Sequence, residues 1–261
     1  MSWRSELASR VVASSTWQGE GLKRDLISFR SGEIELYGSL YAGAEVGSGP
    51  AVVICPPWGV EARQADWLAR SLARGAAACG GAALVFDWPG QGESGGEPEQ
   101  ITLEDLIAAA GDAAAVLRAR CDRSPLVLAG IRVGAAVAAL ATSYVSADAL
   151  ILMQPVWDLA DHFASVEKAS ARAALGKSAY PGWAFGFPLP SLESFASTGD
   201  RVIAAVENYA GSKVALQHGS DEPAASIERI DVPGEWRHSV ATNDSRLTDA
   251  AREWLVARQM T

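Results

Sequence analysis

Two glycines flank an arginine in the stretch Pro125 to Ala138, which reads PLVLAGIRVGAAVA. The apolar run before Gly130 predicts a buried strand and the Ala-rich segment after Gly134 predicts a helix, so Arg132 lies at the tip of a sharp turn between them. Its guanidinium stays protonated at any working pH and has no lone pair to offer, which excludes Arg132 as a nucleophile. The chemistry open to this residue is the binding of negative charge.

The position of Arg132 at a helix N-terminus calls for a negative partner. Partial positive charge at that end of a helix repels a cation and favours an anion, each by up to about 1 kcal/mol. If a carboxylate of the chain is the partner, the two form a structural ion pair. If a ligand is the partner, Arg132 and the amides of the turn form a binding site for a carboxylate or phosphate. The sequence leaves both open.

Composition excludes several function classes. With 261 residues, 49% of them apolar, the chain can form one domain with a large core. Acidic residues outnumber basic ones by 31 to 22 without a Lys/Arg-rich cluster, which argues against nucleic acid as a partner. No stretch approaches the roughly 20 apolar residues of a membrane span. Three cysteines without a CxxC pair and three scattered histidines predict no disulfide framework, no metal site and a cytoplasmic location.

Strands that alternate with helices predict a mainly parallel sheet flanked by helices. A capping box of Thr102 and Asp105 marks the start of one helix. The predicted strands are a hairpin over 23–41 and the runs 51–55, 82–86, 126–129, 149–153, 213–218 and 227–232. The predicted helices are 61–78, 103–117, 201–210 and 245–258.

Two segments depart from this alternation. Residues 1–22 show no firm pattern, and we expect a short helix or a loosely docked arm. Residues 155–200 are aromatic and rich in Pro and Gly, which predicts a short cap over the C-terminal edge of the sheet, with Trp157 and Trp183 lining an apolar pocket. His162 in this segment follows two aspartates as D-x-x-D-H, a pattern typical of a solvated helix face.

Five motifs together resemble the α/β-hydrolase superfamily. They are VVICPPWG, FDWPGQGES, GIRVG, HGSDEP and His238 ahead of the last helix. The resemblance runs from Lys23 to the C-terminus and implies the α/β-hydrolase fold, with a single domain over 1–261. CPPWGVEA, the Arg-containing turn and GFPLP resemble more narrowly the bacterial serine-aminopeptidase-like or exosortase-associated hydrolases.

The resemblance assigns expected roles to residues of this sequence. In the superfamily, GIRVG corresponds to the nucleophile elbow G-x-S-x-G, so Arg132 stands where the serine would be. The catalytic base would be His238, and the acid that orients it would be Glu222, with Asp221 a near alternative. A structural ion pair would then join Arg132 to one of these two acids. The oxyanion donors would be the backbone amide of Val133 and one from the turn of Pro57, Trp58 and Gly59, in which Pro57 has no N–H.

The resemblance also places Cys55 close to the expected pocket. A thiolate there could replace the serine if Arg132 lowers its pKa. The alternative is a small buried cysteine at a strand end.

The glycines 90, 92 and 95 match the dinucleotide pattern G-x-G-x-x-G. No helix follows at once, and Glu93 and Glu97 would repel a pyrophosphate, so we expect tight turns and no NAD or other cofactor.

Two functions remain. The first is a hydrolase or acyltransferase that acts on a small ester, thioester or amide bearing a carboxylate or phosphate, with Arg132 binding the anion and His238 activating water or a nucleophile. The second is a catalytically inactive protein of the same fold that binds a ligand or serves as a scaffold. A homodimer is compatible with both functions.

Overall fold

The computed structural model describes residues 9–16, 21–43, 47–173, 182–217, 227–233, 236 and 245–258. Within these residues a nine-stranded sheet forms the centre of the molecule, and a two-stranded hairpin lies outside it. The strands are β1 (Arg10–Thr16), β2 (Lys23–Ser31), β3 (Ile34–Ala42), β4 (Ala51–Cys55), β5 (Ala82–Phe86), β6 (Leu126–Ile131), β7 (Ala149–Met153), β8 (Trp183–Ala184), β9 (Phe187–Pro188), β10 (Ser212–Gln217) and β11 (Glu228–Asp231).

The sheet order is β1-β2-β3-β5-β4-β6-β7-β10-β11. The pairs from β1 to β5 at one side are antiparallel, and the pairs from β5 to β11 are parallel. Because neighbouring parallel strands end at the same edge, the segments that follow β4, β6 and β7 meet there. This edge holds the candidate site.

Seven helices lie in the described part of the chain. They are α1 (Val60–Gln64), α2 (Asp66–Ala78), α3 (Leu103–Arg118), α4 (Val133–Ala141), α5 (Leu159–Ala173), α6 (Thr198–Asn208) and α7 (Arg246–Ala257). The capping box of α3 is confirmed, since the Asp105 amide donates to the Thr102 hydroxyl and the Thr102 amide donates to the Asp105 carboxylate. None of these helices has the length and hydropathy that a bilayer crossing requires.

Two apolar layers cover the two faces of the sheet. Along β4, the side chains of Ala51, Val53 and Cys55 belong to one buried cluster, and those of Val52 and Ile54 belong to the other. This alternation is the period of two expected of a strand, and burial on both faces explains the continuous apolar run. The mostly parallel α/β architecture predicted from the sequence is confirmed.

Two element predictions need correction. Residues 10–16 form neither a helix nor a loose arm: they are strand β1, which pairs antiparallel with β2 at the edge of the sheet. The single helix predicted over 61–78 is two helices, α1 and α2, separated at Ala65. The first difference adds a strand at the edge of the sheet, and the second concerns only a helix boundary.

The segment after β7 packs over the turn that follows β4. Its helix α5 holds the β8–β9 hairpin through side-chain acceptors: Glu167 accepts from the Gly182 amide, and Ser170 accepts from the Phe185 amide, both at 2.8 Å. The hairpin in turn lies against the β4 turn, because the Trp58 indole donates to the Pro188 carbonyl at 3.1 Å.

Candidate functional site

The turn between β6 and α4 is sharp and strained. Arg132 has φ 56° and ψ −118°, a region that a residue with a Cβ adopts at a cost. A Cβ on Gly130 would lie 2.3 Å from the Gly134 carbonyl oxygen, and a Cβ on Gly134 would lie 2.1 Å from the Cys55 carbonyl oxygen. Only glycine fits at both positions, as the sequence pattern predicts.

The side chain of Arg132 is held by a carboxylate from the segment that follows the neighbouring strand β4. Its Nε and Nη2 each lie 3.2 Å from Oε1 of Glu61, and Nε lies 3.3 Å from Oε2. Its Nη1 donates to the Gln154 carbonyl at 3.3 Å. The Arg132 side chain is 18% exposed and that of Glu61 is 19% exposed. Every guanidinium nitrogen therefore has an acceptor within the protein.

Glu61 reaches Arg132 because of the turn after β4. Gly59 adopts φ 60° and ψ −128° immediately before α1, so Glu61 lies in the first turn of that helix. Since β4 and β6 are adjacent and parallel, their following turns lie side by side. Glu61 thus supplies the negative partner that the position of Arg132 requires.

Two aromatic side chains enclose the ion pair. The Arg132 guanidinium carbon lies 5.7 Å from the centre of the Trp236 ring, which is cation–π distance. The second aromatic side chain is His162 on α5, whose Nε2 lies 3.7 Å from Oε2 of Glu61. Helix α5 and Trp236 therefore both approach this pair.

His162 is neutral at physiological pH. Burial, and secondarily the positive charge of Arg132, lower the pKa of His162 to about 4. Its side chain is only 14% exposed, so the prediction of a solvated helix face was wrong for this residue. With a pKa of about 4, the imidazole of His162 is unprotonated and is a weak base at neutral pH.

The predicted oxyanion donors have different environments. Val133 is the first residue of α4 and is fully buried. The Gly59 amide, in contrast, donates to the side-chain carbonyl of Gln91 at 3.1 Å. Trp58 is buried beneath the β8–β9 hairpin. Of the predicted donors, the Gly59 amide already has a partner within the protein.

Cys55 lies at the end of β4 with no exposed surface. Burial raises the pKa of its thiol, which stays protonated at neutral pH. The geometry thus favours the structural interpretation of this cysteine over a nucleophilic one.

The two tryptophans predicted to line a pocket have different exposures. Trp157 is partly buried against the core layer that contains α4. Trp183 on β8 is 42% exposed. Their expected role in a pocket stays a prediction.

Three further candidates, Asp221, Glu222 and His238, lie outside the described residues. The expected base and acid therefore stay predictions. Sequence reasoning missed Glu61 as the partner of Arg132, although Glu61 belongs to the motif CPPWGVEA. A signal was available: turns after adjacent parallel strands meet at one edge of the sheet.

Comparisons with known proteins identify the fold. No family model matches the chain, and no curated protein sequence matches it. An esterase from Pyrococcus furiosus matches in structure with a TM-score of 0.63 at 16% identity, covering 98% of this chain and 99% of that one. The chain has the α/β-hydrolase fold.

Two other solved structures support the assignment to the α/β-hydrolase fold. A hypothetical protein from Pseudomonas aeruginosa matches with a TM-score of 0.67 at 15% identity, covering 95% of this chain and 99% of that one. Est1E from Butyrivibrio proteoclasticus, whose structure has ferulic acid bound, matches with a TM-score of 0.63 at 17% identity, covering 88% of this chain and 98% of that one.

Proposed function

We propose that this α/β-hydrolase-fold protein binds a small acyl compound without acyl-serine chemistry, because an Arg132–Glu61 ion pair stands where a nucleophile would act. The observation that carries the proposal is this pair, formed at the tip of the elbow. A protonated guanidinium cannot attack a carbonyl, and its carboxylate partner keeps it in place.

The two side chains define the ligand chemistry that the proposal requires. Nη1 and Nη2 of Arg132 each carry a second N–H group beyond the one directed at Gln154 or Glu61. Glu61 offers acceptor oxygens, and both side chains keep a fraction of their surface exposed. The carbonyl oxygen of a small carboxylic acid or amide could accept from the Arg132 N–H groups. An amide N–H or hydroxyl group of the ligand could donate to the Glu61 oxygens. The N-terminus of α4 adds partial positive charge beside the carbonyl oxygen.

A second candidate is hydrolysis by activated water, with His162, which lies beside the Arg132–Glu61 pair, as the base. In this alternative, His162 takes a proton from water as the water oxygen attacks the acyl carbon, and Arg132 stabilises the negative charge that develops on the carbonyl oxygen. The tetrahedral intermediate then collapses with cleavage of the acyl–oxygen or acyl–sulfur bond, and the leaving alcohol or thiol takes the proton from the imidazolium. Glu61 would stabilise the imidazolium. His238, the base implied by the resemblance, would be replaced by a residue of the cap.

One experiment separates the two candidates. We would assay the purified full chain with p-nitrophenyl acetate, p-nitrophenyl butyrate and a short acyl thioester, beside a His162→Gln variant. In parallel, calorimetric titration with butyrate and butyramide would be compared between the wild type and Arg132→Ala. The binding proposal predicts no turnover above buffer and binding that Arg132→Ala weakens tenfold or more. Turnover that His162→Gln abolishes would overturn it in favour of the water mechanism, and absence of binding to both ligands would also contradict it.

A further inference from the structure

The glycine-rich loop that follows β5 lies beside the turn that carries Glu61. This loop contains the glycines 90, 92 and 95, which match a dinucleotide pattern in the sequence. Gly90 and Gly92 have φ of 73° and 56°, so the loop makes the tight turns that the sequence predicts. Strands β4 and β5 are adjacent and parallel, and the segments that follow them therefore meet at one edge of the sheet.

Two side chains of this loop hydrogen-bond to the backbone of the turn after β4. The Trp88 indole donates to the Pro56 carbonyl at 2.8 Å, and the side-chain carbonyl of Gln91 accepts from the Gly59 amide at 3.1 Å. The side-chain nitrogen of Gln91 donates to the Gly90 carbonyl at 3.0 Å. Because each end of the Gln91 carboxamide has a complementary partner, its orientation is fixed. The loop thus holds both ends of the turn.

The hydrogen bond at Gly59 determines where Glu61 lies. Gly59 is buried, so its amide needs an acceptor within the protein. The Gly59 carbonyl accepts from the Ala62 amide at 3.1 Å, which closes the first turn of α1 around Glu61. A shift of the Gly59 backbone therefore moves the carboxylate whose Oε1 lies 3.2 Å from two nitrogens of Arg132.

The other side of this turn contacts the β8–β9 hairpin. The Trp58 indole donates to the Pro188 carbonyl at 3.1 Å, and the Arg63 guanidinium carbon lies 5.9 Å from the centre of the Phe187 ring. Trp58 and Arg63 make these contacts with side chains, which can rotate without a change in the backbone. The Gln91 acceptor, in contrast, acts on the backbone two residues before Glu61.

We propose that Gln91 is a positioning residue of the elbow site, which holds the Gly59 backbone so that Glu61 meets Arg132 in the arrangement that binds the acyl ligand. The effect on the ligand rests on the function proposed above, whereas the effect on the ion pair does not. Gln91 acts through the backbone of the turn and not through contact with the ligand.

Double-mutant cycles of Glu61→Ala and Arg132→Ala in different backgrounds test the positioning. Gln91→Leu removes the acceptor with little change in volume, and Gln100→Leu, at an exposed position, is the matched control. Urea unfolding of the full chain gives the coupling energy between Glu61 and Arg132. We expect it to fall by about half or more in the Gln91→Leu background and to keep its wild-type value in the Gln100→Leu background. A merely structural role of Gln91 would lower the stability of every variant and leave this coupling unchanged.

Calorimetric titration with butyrate and butyramide measures the consequence for the ligand. Gln91→Leu should raise the dissociation constant of the wild type about fivefold, since a change of that size corresponds to the loss of one hydrogen bond. Gln100→Leu should leave it unchanged. Circular dichroism would verify that each variant folds. If Gln91→Leu does not fold, Gln91→Asn, whose side chain is one methylene too short to reach the Gly59 amide, replaces it in both measurements.

The two measurements distinguish failure of the positioning role from failure of the proposed function. If the wild type binds neither butyrate nor butyramide, the proposed function is wrong, and the coupling energies still decide the role of Gln91. A coupling energy that Gln91→Leu leaves unchanged, or that Gln100→Leu lowers equally, would overturn the positioning role. A wild type that binds with the same dissociation constant as Gln91→Leu would overturn it as well.

Discussion

Removal of Glu61 should destabilise the protein more than loss of an ordinary surface charge. In the Glu61→Ala variant, Arg132 keeps its charge at the N-terminus of α4, largely buried and without its carboxylate. Breaking a fully buried pair in this way costs about 3–5 kcal/mol, and repulsion by the helix N-terminus adds up to about 1 kcal/mol. Because both side chains are nearly one-fifth exposed, we expect a loss of about 2–4 kcal/mol.

A double-mutant cycle isolates the interaction between the two residues. Arg132→Ala is the suitable second variant, since alanine keeps the strain at positive φ that glycine would relieve. With both residues replaced, no charge is left uncompensated, so the double variant should be less destabilised than the sum of the single variants. We expect a coupling energy of about 2 kcal/mol, measured by urea unfolding with tryptophan fluorescence as the signal.

The chain contains a matched control. Asp66 and Arg70 on α2 form an ion pair at 2.7 Å, but their side chains are 49% and 44% exposed. Solvent screens this pair, so its coupling energy should be about 0.5 kcal/mol or less. A coupling between Glu61 and Arg132 no larger than that of the control would refute the argument that the elbow pair is a structural element.

Three further outcomes are expected. The pKa of His162 is about 4 in the folded chain against an ordinary value of 6.5, so the unfolded chain binds more protons between these values, and stability should fall by up to about 3 kcal/mol as the pH drops from 6.5 to 4. Urea midpoints across this range would show the slope, and His162→Gln should reduce it. Gly134→Ala should prevent folding or cost several kcal/mol because of the 2.1 Å approach to the Cys55 carbonyl oxygen, whereas Gly75→Ala on α2, with open space at its Cβ, should raise the melting temperature. Iodoacetamide at pH 7 should alkylate the half-buried Cys79 and leave Cys55 intact in native protein, as read by peptide mass spectrometry; equal labelling would contradict the burial of Cys55.

The elements around the elbow were predictable from the sequence because their causes are local. Gly130 is required by backbone contacts within the turn, and the apolar runs of β4, β6 and β7 follow from burial on both faces. Gly134 is required by the Cys55 carbonyl oxygen on the adjacent strand β4, and only the spacing of the two glycines marked it in the sequence. Strand β1 was missed because its short run lies at the sheet edge, where exposed residues such as Val11 and Val12 give no alternation of burial.

The partner of Arg132 was not predictable from local pattern. Glu61 lies 71 residues away along the chain, and their contact depends on β4 and β6 being neighbours in the sheet. His162 was interpreted as exposed because its aspartate neighbours suggested a polar helix face, and its burial arises from the packing of α5 against the β4 turn. The contacts of Glu61 and the burial of His162 exist only in the tertiary structure, so no local sequence pattern shows them.

The most direct test of the central claim is labelling of the full chain with a fluorophosphonate, which reacts covalently with activated serines, followed by intact-mass analysis. The absence of a nucleophile at the elbow predicts an unmodified mass under conditions that label a serine esterase completely. A single phosphonyl adduct on the native chain would contradict the account, because it would show that an activated serine acts in this protein despite the Arg132–Glu61 pair.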